Sequence, residues 1–77
     1  LDVGTLESYI SAHIVEGEEN WVSPNNVQVS ESAVLKNSVI LDNCIIEDNV
    51  TISDSIISSD STITSGTIIN KEIIRKY

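Results

Sequence analysis

Aliphatic residues recur along most of this chain at a fixed short interval. Val29, Leu35, Ile40, Ile46, Ile52, Ile57, Ile63, Ile69 and Ile74 are separated by 6, 5, 6, 6, 5, 6, 6 and 5 residues. Any three successive steps add up to 17, so the anchors fall into three columns: Val29–Ile46–Ile63, Leu35–Ile52–Ile69 and Ile40–Ile57–Ile74. A second series sits two residues before each anchor: Val27, Cys44 and Ser61; Ala33, Val50 and Thr67; Ser38, Ser55 and Glu72. All but Glu72 are small or β-branched.

Side chains at i and i−2 on a strand point to the same side. Each anchor and its partner therefore face one interior. A strand of about three residues, a bend and another strand build a three-sided coil. One coil cannot bury its inner face, whereas coils stacked at the sheet spacing of ~4.8 Å can. The bends need backbone with positive φ, which Asn, Asp and Gly tolerate best. Asn37, Asn43, Asn49, Asp54, Asp60, Gly66 and Asn70 stand at those places. The pattern predicts a mainly β chain: a parallel β-helix of about three 17-residue coils, with a partial coil over 21–26. Strands of a β-sandwich would be longer and joined by hairpins.

Residues 1–20 follow another period. Leu6, Tyr9, Ile10, His13 and Ile14 form one apolar stripe at helical spacing. Thr5 is a suitable N-cap, Glu7 suits the first turn, and Gly17 suits a stop. These signals predict one short α-helix from about residue 5 to 16, and an acidic linker follows. Trp21 is expected to lid one end of the coils; Glu72 and the basic tail are expected to end the other.

Composition narrows the function. Isoleucine and serine dominate, alanine is scarce, and there is no Met or Phe. Twelve acidic residues against four basic give a net charge of −8, which argues against nucleic acid or an anionic membrane as partner. A chain of 77 residues holds one small domain. Cys44 is the single cysteine and sits in an inward column, so it reads as a core residue, and a reducing, cytoplasmic setting is expected. No apolar run is long enough to span a bilayer. The first residue is Leu1, and the chain reads as cut from something longer.

The periodicity resembles that of the left-handed β-helix, or hexapeptide-repeat, family, and the left hand is implied by that resemblance alone. The family often places Gly after the anchor, where this chain has Ser30, Lys36, Leu41 and Glu47 among others. The segment Asp2-Val3-Gly4-Thr5 with Tyr9 and Ala12-His13 resembles the end of the catalytic domain in sugar-1-phosphate nucleotidyltransferases of the mannose-1-phosphate guanylyltransferase and glucose-1-phosphate thymidylyltransferase type. The resemblance implies that 1–20 are the end of a catalytic domain and a linking helix, and 21–77 a left-handed β-helix domain. It implies a parent that uses Mg²⁺ to join a sugar 1-phosphate to a nucleotide, with Asp2 as one metal ligand. Without a nucleotide loop or a second acidic ligand, Asp2 is an incomplete site, and no cofactor or catalytic residue is expected in this stretch. The alternative implied by the coils is a fragment of an acetyl-CoA-dependent hexapeptide acyltransferase or the tail of a bifunctional enzyme; His13, the single histidine, is the candidate base there, but its place on the helix stripe outside the coils favours a packing role.

Three outward positions, Val39, Ile56 and Ile73, stack one above another. An aliphatic column on a polar protein marks a contact surface. The expected occupant is the same face of another copy in a homo-oligomer, the protein's own catalytic domain, or the N-terminal helix folded back.

Overall fold

A computed structural model describes residues 6–15 and 17–75, with Glu7 described by its backbone alone. Thr5 and Asp2 lie outside the described residues. The chain starts with α1 (Leu6–His13) and continues through ten short strands: β1 (Trp21–Val22), β2 (Gln28–Val29), β3 (Val34–Lys36), β4 (Val39–Ile40), β5 (Ile45–Ile46), β6 (Thr51–Ser53), β7 (Ile56–Ile57), β8 (Thr62–Ile63), β9 (Ile68–Asn70) and β10 (Ile73–Ile74). They wind into a parallel β-solenoid of about three turns. Its faces are β1-β4-β7-β10, β2-β5-β8 and β3-β6-β9.

The register follows the 17-residue repeat. Val29 pairs with Ile46 and Ile46 with Ile63, and Leu35–Ile52–Ile69 and Ile40–Ile57–Ile74 align in the same way. The first turn is one residue longer, placing Trp21 beside Val39 and Val22 beside Ile40. Ile40, Ile46, Ile52, Ile57, Ile63 and Ile69 form the core with Cys44 and Val50.

The buried serines of the small-residue series are satisfied by the coil below or by their own bend. Ser38 Oγ donates to Lys36 O at 2.8 Å and accepts the Ser55 amide at 3.3 Å. Ser55 Oγ donates to Ser53 O at 2.7 Å and accepts the Glu72 amide at 3.0 Å. Serine fits here because its hydroxyl takes up a buried amide that an alanine would leave unpaired. Glu72 continues this ladder through its backbone, while its side chain is exposed; a carboxylate cannot be dehydrated inside an apolar coil without a partner.

Positive φ marks the bends at Asn26, Asn37, Asn43, Asn49, Asp54, Asp60, Gly66 and Lys71. Asn70, expected at a bend, is instead the last residue of β9, and Lys71 takes the left-handed position. Asn37, Asp54 and Lys71 are 17 apart, so the repeat selects position 71 whatever residue occupies it. The bends are tied to one another. Asn26 Nδ2 donates to Asn43 Oδ1 at 3.0 Å, Asn43 Nδ2 to Asp60 Oδ1 at 3.1 Å, and Asn37 Nδ2 to Asp54 Oδ1 at 2.7 Å.

Candidate functional site: the helix-covered flank

α1 is shorter than the stripe suggested. It ends at His13, whose Nδ1 lies 3.1 Å from Tyr9 O and so takes up a carbonyl at the helix end. Gly17, with φ of 93°, lies four residues further on. The ring of His13 stacks on Tyr9 with centroids 4.5 Å apart and meets Trp21 edge-on at 5.3 Å. His13 thus joins helix to coil. It packs rather than standing free as a base.

α1 lies on the β1-β4-β7-β10 face. Ile10, Val39 and Ile56 form a buried cluster there, with Leu6, Ile14, Trp21 and Leu41 packed against it. Of the occupants left open by the sequence for the Val39–Ile56–Ile73 column, the helix is the one present. It covers Val39 and Ile56 and leaves Ile73 42% exposed. Trp21 continues this outward column through its register with Val39 and packs under α1; it does not lid the coil end. The one-residue-longer first turn carries it onto the flank.

Beyond the helix, Leu6, Tyr9, Leu41, Ile56, Ser58, Ile73 and Arg75 line a cleft of about 270 Å³. Its walls are apolar, and the Arg75 guanidinium stands among them. Cys44 is fully buried, and its thiol lies 3.1 Å from Ser58 O. Burial pushes its pKa up; the Ser61 amide opposes this in part and the Asp60 charge adds to it. A thiol held neutral in a core is no nucleophile. Among the described residues no group of three His, Cys, Asp or Glu could hold a metal ion, and no helix is long and apolar enough to cross a membrane.

The first coil differs from the others. Its inward anchors Val22 and Val29 are 39% and 38% exposed, against 2% for Ile46 and 4% for Ile63 in the column of Val29. Val22 belongs to the inward series but escapes the 17-residue count, because the first turn spans 18.

The family model described as "GlmU-like, C-terminal hexapeptide" matches residues 3–75. Comparison with the curated proteins and with the solved structures gives no match.

Proposed function

Given that the chain belongs to the GlmU-like, C-terminal hexapeptide family, we propose that it is the C-terminal structural domain of a sugar-1-phosphate nucleotidyltransferase. The parent joins a sugar 1-phosphate to a nucleoside triphosphate and releases pyrophosphate. In this reading residues 1–20 carry the end of the catalytic domain and the linking helix. Residues 21–77 brace that domain or assemble copies of it in the cytoplasm. The coils contribute no chemistry of their own. The carrying observation is that one family match runs from Val3, inside the Asp2-Val3-Gly4-Thr5 segment, through the last coil. Supporting it, the two side chains closest to catalytic types, His13 and Cys44, are both engaged in packing. Mg²⁺ belongs to the parent, with Asp2 contributing one carboxylate to a site completed elsewhere.

The test is pyrophosphate release by the natural gene product that carries this chain, across the common nucleoside triphosphates and hexose 1-phosphates with Mg²⁺. Turnover is expected for one pairing, and no turnover with any pairing refutes the reading. Calorimetry with acetyl-CoA addresses the acyltransferase alternative. The chain is expected to give no heat, and saturable binding overturns the non-catalytic role.

A further inference from the structure

The flank that carries α1 has two outward columns. Val39, Ile56 and Ile73 form one by strand register. Leu41, Ser58 and Arg75 are also 17 apart and follow two residues behind, so they stand beside the first column on the same side of the sheet. α1 runs against the winding. Its first residue, Leu6, lines a cleft with Ile73 and Arg75 of the last coil, while His13 at its other end meets Trp21 of the first. The helix therefore seals Val39 and Ile56 and leaves the Ile73 end open.

The cleft there, of about 270 Å³, has a wall on each side. Leu6 and Tyr9 of α1 form one, Ile56 and Ile73 the floor, and the second column the other. The Tyr9 ring is stacked on His13 with centroids 4.5 Å apart, which holds it back as a wall. Of the described residues that line the cleft, Arg75 alone is charged, and it is exposed. Asp60 adjoins Arg75 around a separate hollow, where it already accepts Asn43 Nδ2 at 3.1 Å.

We propose that this cleft is a binding site for a small carboxylate with an apolar body. The body lies on Ile56, Ile73 and Leu6, and the carboxylate meets the Arg75 guanidinium and the Ser58 hydroxyl. This inference goes beyond the nucleotidyltransferase reading and does not depend on it.

Each part of the ligand class follows from the lining. Apolar walls reject a wholly polar anion, whose lost water they cannot replace. A guanidinium presents parallel N–H donors that match a planar carboxylate. A net charge of −8 opposes a multiply charged phosphate more than a monoanion. The volume is below the ~300–1,000 Å³ of pockets that take drug-sized molecules, which limits the body to a short aliphatic chain or one ring. A molecule seated there touches α1 and the coils at once. It binds the docked helix only, so at a tenfold excess over its Kd it raises the ratio of docked to undocked helix about tenfold.

The experiment is titration of the ¹⁵N-labelled chain at pH 8 with hexanoate, 1-hexanol, hexylammonium, hexyl phosphate and acetate, read by amide chemical shifts. Hexanoate is expected to give saturable shifts at Leu41, Ile56, Ser58, Ile73 and Arg75. The other four, which lack the charge, invert it, double it or lack the body, are expected to bind at least tenfold more weakly. Arg75→Gln, at an exposed position, is expected to lose at least tenfold for hexanoate and nothing for hexanol, with circular dichroism verifying that the coils are kept. A second readout lies outside the cleft: in Ile10→Ala, whose helix is loosened, saturating hexanoate is expected to return Trp21 emission toward the wild-type position. No saturable binding of hexanoate overturns the proposal, as do shifts confined to other faces, equal affinity for hexanol or hexyl phosphate, an unaffected Arg75→Gln, or Trp21 emission that stays red-shifted in Ile10→Ala. None of these results touches pyrophosphate release, so failure here is separable from failure of the nucleotidyltransferase reading.

Discussion

Replacing Ile10 by Ala tests whether the flank and the coil interior are separate energetic units. Ile10 is 2% exposed and meets Val39 and Ile56, while Ile52 belongs to the interior cluster with Ile40 and Ile46. Ile10→Ala removes three carbons, worth about 2.4 kcal/mol at ~0.8 kcal/mol per buried methylene, before any cavity cost. α1 has eight residues and is too short to hold helical structure by itself. Its persistence rests on docking, so that loss raises the undocked population on the order of fiftyfold. The coils below keep their own core. Trp21 is the single tryptophan and touches His13, which makes its emission a report on docking. Ile10→Ala is expected to red-shift Trp21 emission and to weaken the helical dichroism, while the main unfolding midpoint in urea moves little. Ile52→Ala should do the reverse: it should cost about 2–5 kcal/mol in the main transition and leave Trp21 emission unchanged in the folded state. If Ile10→Ala lowers the main midpoint as far as Ile52→Ala, with Trp21 emission unmoved, the two-unit picture is wrong.

Three further outcomes follow from the bends and the thiol. Lys71→Asn is expected to stabilise the protein by about 0.5–1 kcal/mol in urea unfolding, since Lys71 sits at φ 56° in a position that asparagine tolerates better. Asn43→Ala is expected to cost about 1–2 kcal/mol, with Asn43→Gly recovering the backbone part and not the hydrogen bonds to Asn26 and Asp60; equal losses would place the whole effect in the side-chain ladder. Cys44 should react with thiol reagents only as fast as the coils open. Because burial raises its folded pKa, the neutral thiol favours the fold. That contribution is full below the ordinary thiol value of about 8.5 and declines as pH rises past it. Cys44→Ala should flatten this alkaline decline in urea midpoints, and an unchanged decline would assign it to other groups.

The coil architecture was readable because one physical constraint, an interior filled every 17 residues, acts on nine positions at once. The same constraint marks Lys71 as a bend, but residue preference points to Asn70, and register overrules preference there. Val22 and Trp21 were hidden for the opposite reason. The 18-residue first turn shifts them out of phase, so Trp21 reads as a lid although it stands on the flank. The Val39–Ile56–Ile73 column was visible as an apolar strip. Which occupant covers it depends on where α1 lands, a tertiary choice that the linker leaves open. The cleft beside Arg75 has no local signature at all, because Leu6, Leu41 and Arg75 are brought together only by winding and docking. Asp2 and Thr5 lie outside the described residues.

The longer first turn has a consequence for how such a protein can change. Trp21–Val39 spans 18 residues and Val39–Ile56 spans 17, yet the strands pair in the same parallel manner. The additional residue is absorbed outside the strands, and the rungs above it are undisturbed. Each rung meets only its neighbours, so height is a counted quantity, incremented by ~4.8 Å whenever one whole repeat is copied. Duplicating residues 44–60 should lengthen the rod by a single rung and leave α1 seated where it is.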